Sequence, residues 1–196
     1  MVFQLCDRLT VQGETRVSST EIGRKLGVTA HTVRKDINYL GEIGDTGSGY
    51  EIVRLRQHLG DAFGFNSVRK ACVVGLGRLG SAMLDYEKFV PGGFSVVAGF
   101  DSNINRLETI RTGIDVYPAY EVAEVVRRRG IELALIAVPA SAAQDVADAL
   151  VQGGIKGIVN FAPVVIKPSS NEVSIRNMDV LNEMRILLSL MTLKSK

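Results

Sequence analysis

Gly75-Leu76-Gly77-Arg78-Leu79-Gly80 places three glycines in the order G-x-G-x-x-G, and the chemistry this spacing serves is the holding of a pyrophosphate. Gly75 makes the tight turn, Gly77 lets the backbone approach the phosphates, and Gly80 lets the next helix pack close to its strand. The helix N-terminus adds unpaired N–H groups and the positive end of its dipole. Asp101 stands 21 positions after Gly80, where a carboxylate accepts hydrogen bonds from an adenosine ribose. The same aspartate also suits a plainer role as the cap of the loop Asp101-Ser102-Asn103. The pattern favours NAD(H) over NADP(H), because no arginine directly follows Asp101 to meet a 2′-phosphate; Arg106 is the nearest.

These residues need a strand, a turn and a helix to hold them. Ala71 to Val74 form a short apolar strand pattern, Ser81 opens a helix, and Phe94 to Phe100 supply the next strand. The rhythm continues with a strand at Leu133 to Val138, a helix at Ala140 to Leu150, a strand at Gly157 to Asn160 and a short strand at Glu172 to Arg176. The expected architecture is an α/β, Rossmann-type doubly wound parallel sheet with its ligand outside the carboxyl ends of the strands. Val138, Pro139, Ala140, Asn160 and Phe161 sit at two such ends and are candidate walls of the cofactor site.

A second kind of chemistry precedes the glycines. Val2, Leu5 and Leu9 have helical spacing before Gly13; Ser18 to Glu21 form a capping box opening a short helix with Ile22 and Leu26. Gly27-Val28-Thr29 turns the chain, and Thr29 caps a second helix from Ala30 to Leu40 with Val33, Ile37 and Leu40 on one face. Its other side carries His31, Thr32, Arg34, Lys35 and Asn38, donors and acceptors suited to base edges and phosphates. This is the pattern of a helix-turn-helix whose second helix enters the major groove; the plain alternative is a solvated helix face. Between Arg16 and Leu40 five basic and two acidic side chains give a modest positive balance. Ile43 to Val53 is expected to form a hairpin around Asp45 to Gly49, the wing of a winged helix, with Ser48, Gly49 and Tyr50 toward DNA.

The expected domains are 1–56 for the winged helix, 57–68 for a linker, with Arg54 to Val68 reading as a short helix and turn that joins the two domains, 69–177 for the Rossmann unit and 178–196 for a terminal helix. At 196 residues and 46% hydrophobic content the chain can bury proper cores. A net charge of +2 neither demands nor excludes a nucleic-acid partner. No apolar run approaches the roughly 18 residues of a membrane span, and the first residues lack the charged-then-apolar order of a signal peptide, so a cytoplasmic location is expected. Cys6 and Cys72 make no disulfide framework, and Cys72 is expected as a small buried thiol in the first Rossmann strand. No metal site and no catalytic residue is expected.

From Asp179 to Lys194 the chain is helical in pattern, and its nine apolar residues from Val180 to Leu193 cover most of the circumference. A helix apolar all round needs burial on several sides, which predicts a homodimer through this element; a groove between the two domains of the same chain is the alternative.

The order of winged helix, dinucleotide domain and apolar terminal helix resembles the Rex family of bacterial redox-sensing transcriptional repressors. The likeness rests on RVSSTEIGRKLGVTAHTVRKDINYLG, SGY at Ser48 to Tyr50, VVGLGRLGSAMLDY, Phe100-Asp101, VPASAAQ, GGIKGIVNFAPVV and Asp179. The resemblance implies a homodimer on an inverted-repeat operator that senses the NADH/NAD⁺ ratio and leaves DNA when NADH binds. It further implies a terminal helix exchanged between subunits with Asp179 near the nicotinamide, groove contacts at Thr32, Arg34 and Lys35, and pyrophosphate binding at Gly75 to Gly80. This chain departs from the family at Gln4, where an arginine is common, at Asp45-Thr46 in the wing, where a basic residue is usual, and at Val180, where an aromatic is frequent.

Two rivals differ in kind. An NAD-dependent reductase needs a proton carrier, yet His31 and His58 both precede the cofactor domain. A CoA-binding module of the acyl-CoA ligase kind, which the VPASAAQDVADALVQGGIKGIVNF run also resembles, needs a phosphorylated histidine, and none follows His58.

Overall fold

The computed structural model describes residues 1–41, 49–87, 89–90 and 92–194. The chain divides into two compact units, Met1–Ser67 and Val68–Lys196.

In the first unit α1 (Val2–Val11), β1 (Arg16–Val17), α2 (Ser19–Leu26), α3 (Ala30–Tyr39), β2 (Tyr50–Glu51) and α4 (Ile52–Phe63) follow in order. Both expected caps form: Ser18 Oγ accepts from the Glu21 N–H at 3.1 Å, and Thr29 Oγ1 from the Thr32 N–H at 3.1 Å. Leu5 and Leu9 of α1, Ile22 of α2, Val33 and Ile37 of α3, and Leu55 and Leu59 of α4 close one core. The base of the expected wing differs from the hairpin reading. Tyr50 and Glu51 pair antiparallel with Val17 and Arg16, and from Ile52 onward the chain is helical. Ile52, Leu55 and Leu59 recur at helical spacing and are buried, so burial of one helix face overrides the β-branched look of Ile52-Val53. The stretch expected as a linker from residue 57 is therefore mostly α4, part of the first core. Glu42 to Ser48, the tip of the expected wing, lie outside the described residues.

The second unit runs β3 (Arg69–Val74), α5 (Arg78–Leu84), β4 (Phe94–Asp101), α6 (Ile104–Thr109), β5 (Val116–Pro118), α7 (Val122–Arg129), β6 (Leu133–Ile136), α8 (Ala140–Gly153), β7 (Gly157–Asn160), β8 (Ser174–Asn177) and α9 (Val180–Lys194). Its six strands pair in the order β5-β4-β3-β6-β7-β8, every pair parallel. Counted from β3 this is 3-2-1-4-5-6, the doubly wound order with its switch point between β3 and β6. Strand β3 shows why both faces bear helices. Cys72 and Val74 face Val122, Val126 and Ala147 of α7 and α8, whereas Val73 packs with Leu76, Leu84 and Leu107 on the other face. Residues 161–173, between β7 and β8, carry no helix, so the strand-and-helix rhythm stops one crossover early. Buried Ile166 and Val173 anchor that connection instead.

No residue of α9 is buried, and its nine large apolar side chains from Val180 to Leu193 are each 46% to 69% exposed.

Candidate functional site

Strand β3 delivers the chain to Gly75, whose φ of 92° is open to glycine at little cost. A Cβ there would lie 2.5 Å from the Ala137 carbonyl oxygen and 2.8 Å from Val138 Cγ1, so the first glycine brings the turn against the end of β6. A Cβ on Gly80 would stand 1.8 Å from the Gly75 carbonyl oxygen, which is the close helix packing its spacing predicts. Gly77 is different. A Cβ added to it meets nothing within 4 Å, leaving open space beside the N-cap of α5. Two of the three glycines are thus required by the protein's own packing, and the third leaves room where a phosphate group would approach.

Leu76 is buried, while Arg78 and Leu79 in the first turn of α5 are exposed. Asp101, at the end of β4, is only 4% exposed. Its Oδ2 accepts from the Leu76 N–H at 2.7 Å and from Arg106 Nη1 at 2.8 Å, and its Oδ1 accepts from the Asn103 N–H at 2.8 Å. Asp101 therefore caps its loop, clasps the glycine turn and pairs with the nearest arginine. Oδ1, with one donor, retains acceptor capacity for a ribose hydroxyl. Burial pushes this carboxyl up, but the hydrogen bonds from Asn103, Arg106 and Leu76 outweigh it and hold the group below its usual range.

The candidate walls separate. Val138 is half-buried against Gly75, and Phe161 is half-buried with its N–H on the Ile136 carbonyl at 2.8 Å. Pro139 and Ala140 are exposed at the start of α8. Asn160 is fully buried, with its amide committed inside the protein: Nδ2 donates to the Val164 carbonyl at 2.7 Å and to Asn177 Oδ1 at 2.8 Å, and Oδ1 accepts from the Ala162 N–H at 2.9 Å. It shapes the wall from behind and presents no donor to a ligand. Asp179 is exposed and caps α9, its Oδ1 accepting from the Asn182 N–H at 3.0 Å.

In the first unit His31, Thr32, Arg34, Lys35 and Asn38 all lie on the exposed side of α3, opposite buried Val33 and Ile37. Thr29 and Thr32 share a hydroxyl–hydroxyl bond of 2.9 Å at the helix start, and Arg34 Nη1 donates to Ser19 Oγ at 3.0 Å, fixing the guanidinium across to α2. Ser19 was not among the expected contacts; the capping box that contains it is its only sequence signal. Gly49 has a φ of 78°, its carbonyl accepts from Arg16 at 2.8 Å, and a Cβ on it would lie 3.0 Å from the Val17 carbonyl oxygen. Tyr50, expected toward DNA, is 4% exposed, and its hydroxyl is buried without a hydrogen-bond partner among the described residues. Burial pushes this phenol up, with Arg34 pulling the other way. Ser48 lies outside the described residues.

The arginines that end α7 are used within the second unit. Arg127 donates to the Gln152 carbonyl, Arg128 pairs with Glu124, and Arg129 pairs with Asp115. An apolar groove of about 650 Å³, lined in part by Phe3, Val28, Tyr39, Phe63 and Phe65, belongs to the first unit and not to the glycine turn. Burial pushes the Cys72 thiol up to about 12 and, with Asp7 adding to it, the Cys6 thiol up to about 11, so neither is a ready nucleophile. Among the described residues no group of three or more His, Cys, Asp or Glu is placed to hold a metal ion, and no helix is long and apolar enough to cross a membrane.

The comparison with known proteins covers both units. A family model described as a CoA binding domain matches residues 66–164, and one described as a putative DNA-binding protein N-terminus matches residues 4–38. The redox-sensing transcriptional repressor Rex of Carboxydothermus hydrogenoformans is 40% identical over 181 residues, 92% of this chain and 86% of that protein. The chain belongs to the Rex family. Rex 1 of Thermotoga maritima is 37% identical over 94% of this chain and 88% of its own length. Among solved structures, RSP in complex with β-NAD⁺ and operator DNA superposes with a TM-score of 0.89 at 30% identity, covering 98% of this chain and 88% of that one. RSP in complex with β-NADH matches with a TM-score of 0.85 at 27% identity. The helix-turn-helix unit and the doubly wound sheet are therefore shared with the Rex family over nearly the whole chain.

Proposed function

We propose that this chain is a redox-sensing transcriptional repressor that binds operator DNA as a homodimer and is released by NADH, acting in the cytoplasm and performing no catalysis of its own. The observation that carries the reading is the union in one chain of an exposed polar helix on a helix-turn-helix and a glycine turn clasped by a buried acid at a sheet's switch point. Identity of 33% to 40% with named Rex repressors supports it.

The residues present fit the cofactor. Gly75 to Gly80 with the N-terminus of α5 would hold the pyrophosphate, Asp101 Oδ1 the adenosine ribose, and Val138 and Phe161 would wall the pocket. NAD(H) supplies a hydride couple whose oxidised ring is cationic and whose reduced ring is neutral. A carboxylate at the start of α9, Asp179, has an electrostatic reason to tell those two forms apart. Thr32, Arg34, Lys35 and Asn38 would enter the major groove, with Gly49 at the base of the wing. The exposed apolar α9 would be covered by a second copy, giving two recognition helices for an inverted repeat.

The alternative, a small NAD(H)- or CoA-binding enzyme or module without a DNA switch, is tested by the same experiment. Fluorescence anisotropy of a labelled palindromic operator is followed while NADH, NAD⁺ or CoA is added. Release by NADH, with NAD⁺ and CoA far weaker, is expected. Binding to no palindromic DNA, or binding indifferent to NADH, would overturn the reading.

A further inference from the structure

The carboxyl ends of the sheet are joined by a row of backbone hydrogen bonds that runs from the ribose acid's strand to the terminal helix. Gly75 N–H donates to the Phe100 carbonyl, Ala137 to Val74, Phe161 to Ile136 and Met178 to Asn160, each at 2.8 Å. The last of these lies one residue before Asp179. Between Phe161 and Lys167 the chain makes a loop with no helix of its own, and three side-chain amides from three different elements hold it.

Asn160, at the end of β7, bonds to Ala162 and Val164 as described above. Asn177, its register partner at the end of β8, accepts both Asn160 Nδ2 at 2.8 Å and the Ile166 N–H at 3.1 Å on Oδ1, and its Nδ2 points back to the Ile166 carbonyl at 3.4 Å. Gln144 of α8 grips the next peptide, with Oε1 accepting from the Lys167 N–H at 3.1 Å and Nε2 donating to the Lys167 carbonyl at 3.0 Å. Asn177 is the only member of this trio from which the chain passes directly into α9, with just Met178 before the Asp179 cap.

We propose that Asn177 is a positioning residue that locks loop 161–167 to the first turn of α9, so that a change at the cofactor wall is passed to the terminal helix. The physical basis is that one oxygen satisfies a buried side chain and a loop N–H together; neither can shift without losing a bond or moving Asn177, and two residues onward stands Asp179, the cap of α9. This deepens the repressor reading and rests on it for the ligand response. The mechanical link itself does not require that reading.

The test compares Asn177→Ala with Asn177→Asp in the full chain. The Asn177→Asp variant would keep both accepting bonds, because a carboxylate still accepts from Asn160 Nδ2 and the Ile166 N–H, while an acceptor oxygen would replace the 3.4 Å donor opposite the Ile166 carbonyl. Hydrogen exchange read residue by residue is the first measurement. Asn177→Ala should speed exchange at Ile166 and also at Asn182, the amide that Asp179 caps, and Asn177→Asp should restore both. Acceleration at Ile166 alone would overturn the link. Operator affinity with and without NADH is the second measurement. Asn177→Ala should keep its mass in solution and its NADH binding, while the NADH-induced weakening of operator binding shrinks by about tenfold, a size common for coupling between two sites. An unchanged NADH response, or equal loss of NADH and operator binding in both variants, would reduce Asn177 to a structural role. Wild-type protein that NADH fails to release would refute the repressor reading, and the exchange result would still decide the link.

Discussion

Asp101 Oδ2 accepts the Leu76 N–H at 2.7 Å, which makes the acid that ends β4 a structural member of the glycine turn. Asp101→Ala should therefore cost stability as well as NADH affinity, about 1–3 kcal/mol for the N–H groups it leaves unmet. Loss of the carboxylate also frees the Arg106 guanidinium, so the gap between NADH and NADPH should narrow. Urea unfolding and cofactor titration check both, and unchanged stability would remove the clasp from the account.

The same group predicts a pH dependence. Its folded-state pKa is depressed, so its contribution to stability is fully present above the unfolded carboxylate value of about 3.9 and is lost as pH falls through the lower folded value. Asp101→Asn should thus differ most from wild type above about pH 4 and converge with it in stronger acid. Unfolding curves at several pH values check the convergence; a difference that grew in acid would contradict the sign.

Gly77 and Gly80 should respond oppositely to alanine. Gly80→Ala drives a Cβ into the Gly75 carbonyl and should destabilise the fold by about 1–3 kcal/mol or more. Gly77→Ala meets only open space, so melting should be unaffected while NADH binding falls. Thermal melts beside NADH titrations separate the two; a Gly77→Ala protein with full NADH affinity would place the pyrophosphate elsewhere.

Arg34→Ala should weaken operator binding and flatten its salt dependence by about one unit of slope if one phosphate contact is lost. Replacing Arg127, Arg128 or Arg129 should leave operator binding intact, because each is engaged within the second unit. If the α7 arginines proved the more damaging in salt titrations, the groove assignment to α3 would fall.

Deleting residues 178–196 should give monomers that no longer bind an inverted-repeat operator tightly although every groove residue remains. Covering several leucine-sized side chains at roughly 1.5–3 kcal/mol each, less the cost of association, suffices for a stable dimer. Light scattering with operator titration checks this, and a truncated protein that stayed dimeric would refute the role of α9.

Local features and the parallel layering of the second unit were legible in the sequence, while particular long-range contacts were not. The caps at Ser18 and Thr29 form as expected because a hydroxyl and an N–H three residues on need no help from the rest of the chain. The glycine turn was equally clear, since Gly75 and Gly80 answer to neighbours at the end of the adjacent parallel strand and within the same strand-turn-helix unit, while Gly77 faces open space. The pairing of Arg16-Val17 with Tyr50-Glu51 was missed because it closes a span of more than 30 residues with only two-residue strands. Tyr50-Glu51-Ile52-Val53 looks like one strand, and only burial of Ile52 with Leu55 and Leu59 decides that a helix begins inside it. Asn160 was recognisable as important but not as internal: its partners Val164 and Asn177 depend on how a helix-free loop folds back.

The sheet is open at both edges, and each edge resists a further strand. β5 has three residues and ends in Pro118, which has no N–H to offer, while β8 has four and carries exposed Arg176. Two copies cannot readily fuse into one continuous sheet, with its poor control over register and copy number. Under the proposed dimer, association would fall to α9, whose pairing with a second copy has a defined stoichiometry, and the blunted sheet edges would keep so apolar a chain from open-ended polymers.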